Sequence, residues 1–131
     1  MRTIRLALGL LLVAAAGCSG EKPSGTPPAT YTVRGMVREL PQADRPTSEF
    51  AVRHEPIDDF VNPAGKVVGM DSMTMPFPIA KGLDLEGFAI GDPIEMTLVV
   101  DWDGDQPVQV TEVRELPPDT ELEFRKARPG Q

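Results

Sequence analysis

Met70, Met73 and Met75 fall within six positions of a 131-residue chain that has six methionines in all. The chain's single histidine is His54. Thioethers are soft ligands that carry no proton, and soft ligands select Cu(I) over hard cations; a neutral imidazole suits copper as well. Outside the cytoplasm a thiolate is prone to oxidation. Thioethers escape that fate, although they can go on to sulfoxides. One imidazole and two or three thioethers could therefore hold a soft monovalent ion. The competing reading is that methionine is a flexible filler of apolar cores, and that Met73 and Met75 share a face with Phe77 and Ile79 as core residues would. Other chemistry is poorly represented. There is no Ser/His/Asp set and no glycine-rich phosphate loop, so the chain does not read as an enzyme. Asp101, Asp103 and Asp105 lack the glycine and glutamate positions of a calcium loop. Asp103-Gly104 reads instead as a hairpin turn.

These side chains must be positioned by strands. Tyr31, Val33, Gly35 and Val37 alternate with polar or long residues, which predicts a first strand. Phe50, Val52 and His54 give a second, with His54 at its end and facing inward with its apolar neighbours. Met73, Met75, Phe77 and Ile79 share one face of a third. Pro76 and Pro78 on its other face cannot donate ladder bonds, which places this strand at an edge or gap. Ile94, Met96, Leu98 and Val100 form the inner face of a fourth strand. Val108 and Val110 begin a fifth, and Val113 falls out of their phase, which predicts a bulge or twist. Leu83–Phe88 reads as a short helical turn. Five short strands in under about 90 residues predict an all-β fold, a small five-stranded OB-type barrel.

The ends of the chain read differently. Arg2 and Arg5 precede an apolar run, Leu6–Ala16, that is too short to span a bilayer. Small residues follow, up to Gly17-Cys18. Residues 1–17 thus read as a cleaved export signal. Ala15-Ala16-Gly17-Cys18 resembles a bacterial lipobox, which would make Cys18 the lipid attachment point and Ser19 an outer-membrane sorting residue. The alternative is ordinary cleavage nearby, which leaves Cys18 without a role. A lone cysteine cannot form an internal disulfide. Residues 18–29 are rich in Pro, Gly and Ser and read as a flexible linker, able to reach about 35 Å when extended. The domain is expected over 30–116, with a charged, loose or briefly helical tail over 117–131. The precursor carries −7; removal of residues 1–17 leaves eleven basic against twenty acidic side chains, or −9. Such a domain repels phosphate backbones, which excludes nucleic acid as a partner.

His54-Glu55-Pro56-Ile57, then Met73-Thr74-Met75 and Phe77, resemble the CusF family of periplasmic copper- and silver-binding proteins from metal efflux systems. The resemblance covers roughly Thr30 to Leu116, including Gly91-Asp92. It implies an OB barrel that binds Cu(I) or Ag(I) through His54, Met73 and Met75. It also implies a monomer, and a protein partner for copper transfer, either an efflux adaptor or a cuproenzyme assembly factor. In that family a tryptophan three places before the first methionine caps the ion; here the position is Met70. Met70 is thus either a further ligand or a cover for the ion. The loop from His54 to Met73 is longer than in compact members, with a partner-docking surface as one role for it. Trp102, the sole tryptophan, lies in the turn after the fourth strand and is not expected to touch the metal. The reading without metal is an envelope module of the same fold that binds a protein or glycan, with its methionines as core.

Overall fold

The computed structural model describes residues 26–130. The export signal, Cys18 and most of the linker lie outside the described residues. Five strands appear in chain order: β1 (Ala29–Glu39), β2 (Ala51–His54), β3 (Met73–Pro76), β4 (Pro93–Val100) and β5 (Val108–Glu115). They form one antiparallel sheet in the order β3-β2-β1-β4-β5. The sheet's two edges are then brought together just past β3. Val110 N–H donates to the Pro78 carbonyl and Ala80 N–H to the Val110 carbonyl, both at 2.8 Å, and Ile79 pairs with Val110 in parallel. The all-β expectation holds, and the arrangement is that of the OB type.

β1 is long because it serves both halves. Its residues 29–36 pair with β4, and 35–39 pair with β2. Gly35 sits where the two overlap. A Cβ there would lie 2.5 Å from Val52 Cγ1, 2.7 Å from the Arg53 carbonyl oxygen and 3.0 Å from His54 Cα. Only glycine lets the two backbones come this close. The β4–β5 register slips between Thr97 and Leu98, so that Leu98 faces Val110 and Thr97 faces Glu112. Thr111 is the extra residue, and this bulge is why Val113 reads out of phase. The core joins Tyr31, Val33, Val37, Phe50, Val52, Phe77, Ile94, Met96, Leu98, Val100 and Val110 with two residues of the β2–β3 loop, Ile57 and Phe60.

Four sequence expectations change. β3 is shorter than predicted, although its edge position holds. The two prolines fit because their neighbours do the donating: Phe77 N–H bonds the Phe50 carbonyl, and Pro78 is needed only as an acceptor. No helix forms over Leu83–Phe88. Asp84 accepts from the Glu86 N–H at 2.8 Å, a local bond that competes with helix, and two turns take its place. Order begins ahead of residue 30: Ala29 is in β1, and Thr26 is buried with its hydroxyl donating to the Pro63 carbonyl at 2.8 Å. The C-terminal segment is neither loose nor helical. It runs extended along the β2–β3 loop, with Ser72 N–H donating to the Arg125 carbonyl at 2.9 Å and Arg125 N–H to Ser72 Oγ at 3.0 Å. No helix among the described residues is long and apolar enough to cross a membrane.

Candidate metal centre

The ladder between β2 and β3 sets the site. His54 pairs with Met73, and Val52 with Met75. Directly opposed residues project to the same face with Cβ atoms about 5 Å apart. The inward reading of His54 therefore carries Met73 and Met75 to the same side. Met70 enters by another route. Ile57 and Met70 exchange two backbone hydrogen bonds of 2.9 Å, which closes a small hairpin in the loop and brings Met70 near His54.

His54 is fully buried. Its Nδ1 lies 2.6 Å from the carbonyl oxygen of Glu55. A carbonyl can only accept, so the proton sits on Nδ1 and Nε2 is left with a lone pair. That Nε2 is a buried side-chain polar atom with no hydrogen-bond partner. Burial lowers the ring's pKa below its ordinary value; the Glu55 carbonyl opposes this more weakly. The imidazole is thus held neutral, in one tautomer, with a free donor nitrogen. The edge-on ring of Phe77, centroid to centroid 5.7 Å, fixes its plane from the side.

The thioethers differ in exposure. Met73 is 45% exposed, while Met70 and Met75 are half-buried against the core. A core filler would not leave the best-placed of the three in solvent, so packing alone does not account for Met73. Among the described residues no group of three or more His, Cys, Asp or Glu side chains is placed to hold a metal. A hard or borderline ion thus lacks a ligand set there, and the donor set around His54 is soft.

Residues 30–115 match the family model described as copper binding periplasmic protein CusF. The chain belongs to the CusF family. The match spans more than half of the 131 residues and contains all five strands except Ala29. No curated protein and no solved structure matches the chain. CusF proteins bind copper or silver ions in the periplasm, as metal carriers rather than enzymes, and this chain is a periplasmic copper-binding protein on that ground.

Three features of this CusF site were not read from the sequence. Glu55 does double duty: its carbonyl orients His54, and its carboxylate takes a bidentate pair from Arg34 at 2.7 and 2.9 Å. Gly35 lets β1 press against the His54 backbone, and a glycine breaking the Val33/Val37 alternation was the available signal. The third is the C-terminal segment, which offers no such signal. Trp102 packs on the β2–β3 loop. Its Nε1–H donates to the Val61 carbonyl at 3.0 Å and its ring meets Phe60 edge-on. Phe60 in turn packs on Tyr31, whose hydroxyl accepts from Val61 N–H at 3.0 Å. The long loop is therefore partly core, while Val67 and Val68 at its tip are exposed.

Proposed function

We propose that this protein carries Cu(I) on the periplasmic face of the cell envelope, bound by His54 Nε2 and the thioethers of Met73 and Met75, with Met70 as a fourth donor. The observation that carries this reading is the buried, unpartnered Nε2 of His54, fixed in the tautomer a metal ligand requires and set across the ladder from Met73. A buried polar atom left unpaired costs about 1–3 kcal/mol, and such a cost is accounted for if an ion is the missing partner. The exposure of Met73 supports transfer: an entering ligand can displace this thioether first, leaving the buried donors for later. Ag(I), equally soft, fits the same donors. The recipient is a protein with its own soft ligands, either an efflux adaptor or a cuproenzyme assembly factor, and the carrier acts as a monomer held to the outer membrane through lipidated Cys18.

The test is competition with a chromophoric Cu(I) chelator under anaerobic conditions. Wild-type protein should withdraw one equivalent. Met73→Leu with Met75→Leu should withdraw none at the same chelator concentration while melting within a few degrees of wild type, since Met-to-Leu swaps usually cost under about 1.5 kcal/mol. A double variant that still competes for copper would overturn this ligand set. A wild type that leaves the chelator loaded would favour a metal-free module with methionines as core, the reading that the packing of Met70 and Met75 against the core would then support.

A further inference from the structure

The loop that leaves β2 at His54 and returns at Met73 is tied down by a segment from the far end of the chain. Arg125 grips it on both sides of the Ile57–Met70 hairpin. Its guanidinium pairs with both carboxylate oxygens of Asp58, next to Ile57, at 2.9 and 2.7 Å. Its backbone N–H and carbonyl bond Ser72, two residues past Met70. Neighbouring residues extend the grip. Arg128 N–H donates to Asp58 at 2.7 Å, Ala127 N–H to Asp71 at 2.7 Å, and Glu123 N–H to the Glu55 carboxylate at 2.7 Å. Phe124 lies under the Arg53 guanidinium at 4.1 Å. The segment passes so close that a Cβ on Gly69 would lie 2.7 Å from Ala127 Cβ and 3.0 Å from Pro129 Cγ. Every one of the hydrogen bonds falls between His54 and Met73, and none lies on the exposed Val67–Val68 tip.

Resting on the copper site proposed above, we infer that the C-terminal segment Glu123–Arg128 is a strap that positions Met70 and thereby sets how many thioethers the ion receives. The physical argument is one of preorganisation. The Ile57–Met70 hairpin is held to the barrel by Ile57 and Phe60 on its inner side. On its outer side, among the described residues, it is the strap that bonds the chain next to both Ile57 and Met70. A bidentate arginine–carboxylate pair is directional as well as attractive. The Arg125 backbone, donating to Ser72 Oγ and accepting from Ser72 N–H, then holds the other arm of the hairpin in register. Arg125 is a positioning residue here: it acts on copper only through Met70. Outer groups that orient metal ligands typically matter by 10–100-fold in affinity, about the range expected for this one.

The experiment is a cycle in the full chain: wild type, Arg125→Ala, Met70→Leu and the double variant. Each is measured for Cu(I) affinity against a chelator and for the number of sulfur neighbours by X-ray absorption. Arg125→Ala should weaken copper about tenfold and lose one sulfur, and it should have no further effect once Met70 is leucine. Equal loss in both backgrounds would show a general structural role and overturn the strap. So would an unchanged affinity and sulfur number in Arg125→Ala. Methionine methyl spectra of the metal-free protein separate this from the copper reading itself. The Met70 methyl should shift and sharpen in Arg125→Ala while that of core Met96 stays put. If wild type takes no copper but Met70 still responds, the copper reading fails and the strap's restraint on Met70 stands. If copper binds and Met70 is indifferent, only the strap falls. Should Arg125→Ala not fold, Ser72→Ala removes one anchor of the strap and must move the same signals in the same direction.

Discussion

His54 donates from Nδ1 to the carbonyl of Glu55, the next residue in the chain, at 2.6 Å, while its Nε2 is buried without a partner. The ring is turned by its own backbone, and the turn leaves the Nε2 lone pair facing no protein donor among the described residues. Stability and the copper ligation proposed for His54 are therefore in conflict at this position. His54→Leu should abolish Cu(I) uptake yet cost little: it removes one hydrogen bond worth about 1 kcal/mol but also an unsatisfied atom that costs about 1–3 kcal/mol. The metal-free variant should melt at or above the wild-type temperature. A loss of 3 kcal/mol or more in denaturant unfolding would mean that Nε2 is satisfied in the metal-free protein, and the argument for a ligand would go with it.

Gly35 supports the same site from behind. An alanine Cβ would sit 2.7 Å from a backbone oxygen, which unlike a side chain cannot turn away. Gly35→Ala should destabilise by about 1–3 kcal/mol, as overpacking does, and should push β2 outward at His54. Copper affinity should fall together with stability. A variant of wild-type stability and affinity would show that the β1–β2 contact does not fix the imidazole.

The fold was legible where burial is one-sided. Ile94, Met96, Leu98 and Val100 alternate because β4 packs one face inward, and the phase break at Val113 announced the Thr111 bulge. Period two likewise placed Met73 and Met75 on one face of β3 and His54 on the inner face of β2, and the ladder between the strands brings those two faces together. What could not be read depends on partners distant in sequence. Arg125 sits in a charged stretch without apolar period, and its order comes from Asp58 and Ser72, more than fifty residues away. Asp84 pulled the other way: its side chain takes the Glu86 N–H locally where a short helical turn was expected over Leu83–Phe88.

Trp102 tests whether the loop is held from the inside as well. Trp102→Phe keeps the edge-on contact with Phe60 but leaves the Val61 carbonyl without its 3.0 Å donor. The expected cost is about 1 kcal/mol. It should appear locally, as faster amide exchange at Val68 and Gly69, which both donate to Phe60. Exchange that quickens uniformly across β4 as well would mean that the indole supports the whole barrel rather than the loop.

Acid should loosen the strap before it unfolds the barrel. The Arg125 guanidinium, and next the Arg128 N–H, hold the Asp58 carboxyl well below its ordinary value of 3.8. A carboxyl whose folded pKa is depressed contributes stability that is fully present above the unfolded value and is lost as pH falls through the folded one. The gap in melting temperature between wild type and Asp58→Asn should therefore be constant from neutral pH down to about 4 and narrow below it. Both partners are partly open to solvent, so molar salt should shrink the same gap at pH 7. Melting curves across pH and salt decide the point. A gap that persists undiminished at pH 2 and in molar salt would assign the effect of Asp58 to its neutral hydrogen bonding, and the charge of Arg125 would then have no part in holding the strap.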